Sequence, residues 1–401
     1  MTNLCLVALP NPVLTNPKMY FPLGILYLAA VADKAGYSVD IADFREGLGI
    51  VPDAEFYAFS CTTPEIKYAI QMTKVVKGAT ILGGAHSSLM SAPYEDFDYV
   101  VMGEGEEAIV PILSGKWKRG IHNMPRIENL DSIPYPAWDM VDEPFSTTLF
   151  PGERYGDAEK AATIIASRGC PYNCHFCGNM YRAPVFYRSV GNIIGELKEL
   201  IKRSVRHFRF EDDNFTLHPQ FAVLCAHISK LNIHYKCHTR SNLLDDEQAA
   251  YLKSSGCEEC GLGVESADDK VLRLNNKAET ASDHLRAIGI LRNADIRSKT
   301  YFIAGLPGET DETLRINMEF FKKAKPDKWT LSTFTPYPGC AVYKNPDKFG
   351  IKILNWNWLD WWNFVQDRFV HVLDGQTSGQ MWERYQTFYE FLKGESWMHM
   401  G

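Results

Sequence analysis

A chain of 401 residues with 45% hydrophobic content holds enough apolar material for two cores, and no repeat of solenoid length is present. A net charge of −7 gives no general attraction for nucleic acid, and ten irregularly spaced cysteines do not make a secreted disulfide scaffold. There is no run of about 18 uncharged apolar residues and no basic-then-apolar leader, so a cytoplasmic protein without a membrane segment is expected.

The first 115 residues alternate apolar runs (Leu4 to Leu9, Val39 to Asp43, Glu55 to Ser60, Thr80 to Gly83, Tyr99 to Met102) with helical patterns (Pro22 to Ala35, Pro64 to Lys77, Glu106 to Leu113). Continuous apolar strands between amphipathic helices predict a parallel sheet covered on both faces, a doubly wound α/β domain. Ligands of such folds bind outside the carboxyl ends of the strands, and Gly83, Gly84, Gly103 and Gly105 collect there. The stretch Gly103 to Ala108 matches a dinucleotide fingerprint by letter. Glu104, Glu106 and Glu107 would set negative charge where a pyrophosphate needs bare amides, and the match falls on the last strand–helix unit, so that reading fails.

Residues from about 116 to 160 are rich in proline and turn formers, as in Ile133 to Asp139, and predict an extended linker. The expected boundaries are 1–140 for the first domain with its linker, 141–345 for a second, and 346–401 for a short, mostly helical extension.

Near the start of the second domain stands Ser167-Arg168-Gly169-Cys170-Pro171-Tyr172-Asn173-Cys174-His175-Phe176-Cys177. Three thiols at this spacing can converge on one inorganic centre, whereas a four-iron cluster usually takes four cysteines, and no fourth follows nearby. One iron is then left without a protein ligand, which is where a substrate or cofactor binds, so the spacing predicts a catalytic cluster. A zinc site or buried thiols is the alternative for the loop alone. Cys5, Cys225, Cys237 and Cys340 read as small buried hydrophobes, and the Cys257/Cys260 pair as packing.

Six strand-like runs follow, Ala162 to Ser167, His207 to Glu211, His234 to Thr239, Glu259 to Val264, Arg297 to Ile303 and Lys328 to Thr335, with helical patterns between them. Six such units predict a partial TIM-type (β/α)6 barrel with its chemistry at the carboxyl ends of the strands. Polar motifs fall at those ends: Glu211-Asp212-Asp213-Asn214, Thr239-Arg240-Ser241, Gly263-Val264-Glu265-Ser266, Ile303-Ala304-Gly305 and Thr335-Pro336-Tyr337.

The cysteine loop, with Phe176 before its last cysteine, resembles that of the radical S-adenosylmethionine enzymes. Pro22-Leu23-Gly24, Gly83-Gly84-Ala85-His86 and Val101 to Glu106 look like the cobalamin-binding domain that precedes many of them. The resemblance spans roughly 340 residues. It implies a 4Fe-4S cluster on Cys170, Cys174 and Cys177, whose open iron chelates S-adenosylmethionine and whose electron releases a 5'-deoxyadenosyl radical. It also implies an external electron donor such as flavodoxin or ferredoxin. Asp212 or Asp213 would meet the methionyl ammonium, Arg240 the carboxylate, and Glu265 and Ser266 the ribose or methionine. Ile303, Gly305 and Tyr337 would complete the pocket, with Gly305 beside the adenine. Cobalamin would be lined by Ser60, Thr62, Thr63, Gly83, Gly84, His86, Gly103, Glu104 and Gly105. The D-x-H-x-x-G sequence that gives cobalt an axial histidine is absent, so His86 is expected to contact the nucleotide tail or sit in a loop.

Trp356, Trp358, Trp361 and Trp362 crowd ahead of a helical stretch from Gly379 to Leu392, and core packing is expected for them. With no dedicated nucleic-acid domain and no second cysteine triad, tRNA methylthiolation is disfavoured. The resemblance implies methyl transfer to an unactivated carbon of a small-molecule or peptide substrate, with the cobalt face and the cluster opening on one cavity. A non-methylating cyclisation, ring contraction or redox rearrangement, and a non-catalytic sensor of either cofactor, are the alternatives.

Overall fold

The computed structural model describes residues 2–11, 16, 17, 19, 21–90, 94–141, 145, 160–361 and 368–395. The chain divides into two compact units, residues 1–149 with 357–361, and residues 150–356 with 362–401.

The first unit is built on β1 (Thr2–Ala8), β2 (Val39–Asp43), β3 (Ala54–Ser60), β4 (Ala79–Gly83), β5 (Tyr99–Met102) and β6 (Gly120–Asn123), all parallel, in the order β2-β1-β3-β4-β5-β6. Its helices are α1 (Leu23–Lys34), α2 (Ile66–Thr73), α3 (Ala85–Leu89) and α4 (Ile109–Leu113). Cys5, Val7, Tyr57, Phe59 and Leu82 pack with Ile66, Ala69 and Met72 in one buried cluster. Strand order reverses between β1 and β3, which opens a crevice at their carboxyl ends. Strand β6 was not expected from the sequence: its residues are polar or exposed, so it lacks the apolar run that marks the inner strands, and it adds to the edge through pairing with β5. The proline-rich stretch that follows packs on the first unit, with Leu130 and Trp138 buried and Ala137 donating to the Leu26 carbonyl at 3.1 Å.

The second unit contains β7 (Ala161–Ile164), the short antiparallel pair β8 (Ser167–Arg168) and β9 (Phe186–Tyr187), then β10 (His207–Phe210), β11 (His234–Thr239), β12 (Cys257–Glu265), β13 (Arg297–Ala304) and β14 (Lys328–Thr333). Its main sheet is wholly parallel, in the order β14-β13-β12-β11-β10-β7. The helices are α5 (Val190–Lys202), α6 (Phe221–Ile228), α7 (Asp246–Ser254), α8 (Asp269–Leu274), α9 (Ala281–Asn293), α10 (Asp311–Ala324), α11 (Ala341–Lys344) and α12 (Ser378–Glu395). Ser189, Asp245, Thr280 and Thr310 start α5, α7, α9 and α10 by accepting from backbone amides of the first turn.

Along β11, β13 and β14 buried and half-buried residues alternate. Phe302 faces Phe320, Phe321 and Phe388 of α10 and α12, so one face of the sheet lies under helices. The opposite face holds Lys236, His238, Lys299, Tyr301 and Lys328. A sheet covered by helices on both sides would be apolar throughout, so this period of two marks a polar concave face.

A hairpin of β15 (Ile351–Ile353) and β16 (His371–Leu373) closes the unit beside α12. Trp361 is fully buried, Trp358 half-buried and Trp356 59% exposed, so packing accounts for some of these indoles and not for Trp356; Trp362 lies outside the described residues. Cys237, Cys257 and Cys260 are buried free thiols, with Cys237 and Cys257 sulfurs 3.8 Å apart.

Gly84 has φ +94°, and a Cβ there would stand 2.6 Å from the Cys61 amide nitrogen and 2.8 Å from its carbonyl oxygen. Gly84→Ala is therefore expected to destabilise the protein by about 2 kcal/mol or more, read as a lower urea midpoint at unchanged slope.

Candidate active site

Chain entry into the cysteine loop is fixed by Asp212, just beyond β10. Its buried carboxylate accepts from the Ala166 amide (3.0 Å) and from the Ser167 hydroxyl, and burial pushes its carboxyl up to about 6 despite those bonds. The β8–β9 pair then closes the base of the loop. Within it the Cys170 amide donates to Tyr181 O (2.9 Å), and Arg182 donates to the carbonyls of Tyr172 (2.8 Å) and Cys177 (2.6 Å). One guanidinium thus winds the loop around itself. From outside, the His175 amide donates to Asn275 O (2.9 Å) and Asn276 Nδ2 to Asn173 O (2.8 Å).

All three cysteines are free thiols, Cys174 buried and the other two half-buried. Burial raises the Cys177 thiol to about 11 and that of Cys170 upward, against the pull of Arg182 and Arg240 respectively. Donors reach two of the sulfurs: Asn214 Nδ2 lies 3.4 Å from Cys170 Sγ and Arg240 Nη1 3.6 Å from Cys174 Sγ. The buried Asn214 Oδ1 has no hydrogen-bond partner.

Arg240, at the end of β11, is 5% exposed and sits in a cluster of buried charge. It is ion-paired with Glu279 (3.2 Å), donates to the Lys277 carbonyl and lies 3.8 Å over the Tyr172 ring. Lys277 in turn pairs with Glu279 (3.2 Å) and Glu265 (3.3 Å). Burial raises the Glu265 carboxyl and Lys277 pulls it back down. Glu265 (φ +62°), Asn276 (+51°) and Ala278 (+54°) all adopt left-handed backbone, which brings the two carboxylates onto the two cations.

The remaining expected residues divide. Asp213 is exposed and accepts from Asn179 Nδ2 at 2.7 Å. Phe176 and Ile303 are half-buried, and Tyr337 packs on the loop at Gly178, where a Cβ would be 3.1 Å from that of the tyrosine. Ser266 is buried and occupied by Asn317 Oδ1 (3.3 Å) and the Asp268 amide (3.1 Å). At Gly305 (φ +83°) a Cβ would collide with Phe369 at 2.6 Å, its amide donates to Glu309 and its carbonyl accepts from His371. That glycine serves packing of the closing segment, which the sequence motif alone did not show.

In the first unit Ser60 and Thr62 stand at the crevice, Thr62 exposed. Glu65 ties it together, accepting from Thr62 N (2.7 Å) and from Asn11 Nδ2 (2.8 Å). Thr63 contacts His86 Nδ1 at 3.2 Å, and His86 is fully buried, edge-on to the Trp358 ring at 4.6 Å. Glu104 is also buried, spent on the Ile127 amide and on Arg126 Nε (3.4 Å). A Cβ on Gly103 would strike Met124 O at 2.7 Å, and one on Gly105 would press on Leu28 at 3.2 Å. Gly83 differs: at the end of β4, nothing lies within 4 Å of the place its Cβ would take.

These observations test the fit of the implied cofactors. Among the described residues no group of three His, Cys, Asp or Glu is placed to hold a single metal ion. In a cubane each thiolate takes its own iron, so three free sulfurs on one loop, with donors at two of them, fit a three-cysteine cluster. The open strand end at Gly83, beside hydroxyls at the strand-order reversal, fits a large flat ligand. His86 in its buried place does not fit a cobalt ligand.

Three thiols on a braced loop at the carboxyl ends of a parallel half-barrel, joined in one chain to a doubly wound domain, define a cluster enzyme with a second cofactor domain. Residues 164–321 match the Radical SAM superfamily and residues 13–113 the B12 binding domain, so the chain unites the two modules of the cobalamin-dependent radical S-adenosylmethionine enzymes. Those modules imply a 4Fe-4S cluster, S-adenosylmethionine and cobalamin. The chain is 26% identical over 412 residues to an uncharacterized methyltransferase of Pyrococcus horikoshii, covering 92% of this chain and 87% of that one. It is 26% identical over 380 residues to the anaerobic magnesium-protoporphyrin IX monomethyl ester cyclase of Cereibacter sphaeroides, covering 80% of this chain and 60% of the other. The fold is shared with the radical S-adenosylmethionine methyltransferase TsrM from Kitasatospora setae, solved with cobalamin and a 4Fe-4S cluster (TM-score 0.65, 16% identity, 88% of this chain and 80% of that one).

Arg182, Glu65 and Glu279 are absent from the expected site: Glu65 and Glu279 act through partners distant in the chain, Asn11 and Arg240, and Arg182 stands just past the last cysteine, where no spacing marks it. Two outcomes follow from the site. Arg240→Met leaves Glu279 with one cation in place of two and should destabilise the protein by about 3 kcal/mol, read by urea unfolding. Burial lowers the His86 pKa to about 4 from an ordinary 6.5, so the unfolded chain takes up its proton first. Its contribution is complete above pH 6.5 and is lost as pH falls toward 4. His86→Gln should shrink the drop in urea midpoint between pH 7 and pH 5, the full effect being at most about 3 kcal/mol.

Proposed function

We propose that the protein is a radical methyltransferase that places a methyl group on an unactivated carbon. The observation that supports it is the likeness to the Pyrococcus methyltransferase, which runs through both modules and takes in most of each chain. When bound, the cofactors supply a 5'-deoxyadenosyl radical and the methyl group. Cys170, Cys174 and Cys177 would hold the cluster. Asp213, whose carboxylate is exposed, is the better of the two aspartates for the methionyl ammonium, because Asp212 is committed to Ala166 and Ser167. Glu265 would meet the ribose, and Ile303 and Tyr337 would pack against the apolar parts of the ligand. Arg240, already bound to Glu279, Lys277 and Cys174, acts as a positioning group that keeps the loop in place, with Tyr172 beneath it. Ser60, Thr62 and Gly83 would receive cobalamin at the strand ends of the first unit.

The likeness to the cyclase favours a second reading, radical chemistry without methyl transfer. Anaerobic reconstitution with cobalamin and an electron donor, followed by mass spectrometry against candidate substrates, separates the two. Methylation requires a product heavier by one methylene unit, and a product without that gain supports the cyclase-type reading. Cys174→Ala should abolish cluster absorption and deoxyadenosine formation; persistence of either overturns the assignment of the loop.

A further inference from the structure

Asn214 follows β10 between anchored neighbours. On one side Asp212 is tied to Ala166 and Ser167. On the other, the Phe215 ring lies 4.3 Å from that of Phe210, and the Thr216 and Thr239 hydroxyls meet at 2.6 Å. The backbone that carries Asn214 is thus held by other residues, and its side chain is left for another task.

An asparagine just ahead of a helical turn ordinarily caps it, its carbonyl accepting from a freed amide. Asn214 precedes the turn Phe215–Leu217 and makes no such bond. It is 6% exposed, its Oδ1 has no hydrogen-bond partner, and its Nδ2 donates to Cys170 Sγ at 3.4 Å. A buried orphan carbonyl lowers stability, and a leucine would fill nearly the same volume without one. What the amide offers against that loss is its N–H end, directed at sulfur.

The half-buried Cys170 Sγ also accepts from the Tyr172 amide, while Asp213 and Arg240 act on it with opposite charges. Asn214 adds a neutral donor to that set. Sulfur bound to iron becomes more negative when an electron enters, so an N–H aimed at it stabilises the reduced form more than the oxidised one.

We propose that Asn214 tunes the reduction potential of the cluster, holding it higher through the hydrogen bond to Cys170 than the three cysteines alone would. One electron comes from an external low-potential donor, and Asn214 gives up no proton. The proposal rests on the cluster assigned to the loop and is independent of methyl transfer.

Its test uses the anaerobically reconstituted full chain without S-adenosylmethionine. A redox titration with dithionite, followed by the electron paramagnetic resonance signal of the reduced cluster, gives the midpoint. Asn214→Leu should cut the ratio of reduced to oxidised cluster at the wild-type midpoint about tenfold, a shift of about 59 mV downward for one electron. The urea midpoint of the same variant should hold or rise, because the orphaned carbonyl is gone. A merely structural asparagine would give the reverse, a lower urea midpoint at an unchanged potential. Asn214→Asp keeps the shape and removes the donor, so its potential should fall at least as far, and it decides the matter if Asn214→Leu takes up no cluster. An unchanged potential in either variant, with cluster absorption intact, overturns the role of Asn214 and leaves the loop assignment standing. Absence of cluster absorption from the wild-type chain overturns both.

Discussion

The guanidinium of Arg240 joins three parts of the second unit that are far apart in sequence: the end of β11, the cysteine loop through Cys174 and Tyr172, and the segment after α8 through Lys277 and Glu279. Buried ion pairs seldom add net stability, because desolvation of both partners offsets their attraction. This one therefore has to be understood by what it fixes. Its geometry holds a donor against one of the thiols and sets two carboxylates beside the loop, an arrangement that an apolar core of equal volume could not supply.

The fold explains how so much charge can sit at one end of a sheet. Parallel strands deliver all their carboxyl ends to the same edge, and each loop that follows can add a polar residue without disturbing the core beneath. The half-barrel adds a second opportunity, since among the described residues the helices α10 and α12 pack on the Phe302 face of its sheet while polar side chains line the other. The outer face is apolar and aromatic around Phe302, and the inner face keeps its lysines half-buried. In the first unit Ser60 ends β3 and Thr62 follows it, beside the reversal of strand order.

Periodicity and glycine placement made both sheets legible, because strand runs and turn residues follow local rules. The cysteine spacing was equally plain. What could not be read was which polar residues at a strand end face a ligand and which are consumed by the protein. Asp212 and Asp213 are neighbours, yet one is spent on Ala166 and Ser167 and the other is exposed. Glu104 and His86 looked like lining residues because they follow strands, and both turn inward to satisfy partners of their own domain. Gly305 follows the same rule, its missing side chain making room for Phe369. Strand β6 was missed for the converse reason, since an edge strand needs no apolar run.

Backbone strain around the charge cluster bears on why its parts must be kept together. Glu265, Asn276 and Ala278 each hold positive φ, at roughly 1 kcal/mol or more for residues that are not glycine. Such conformers persist only where surrounding contacts over-determine them. Lys277 lies between two of the three and is tied to the third through Glu265, while the amide of Asn276 reaches back to Asn173 in the cysteine loop. Relaxing the backbone would separate the carboxylates from Arg240 and Lys277 and leave those buried cations unpaired. The same ion pairs that hold the strained turns also brace the loop of thiols, so strain, buried charge and cluster geometry stand or fall as one unit.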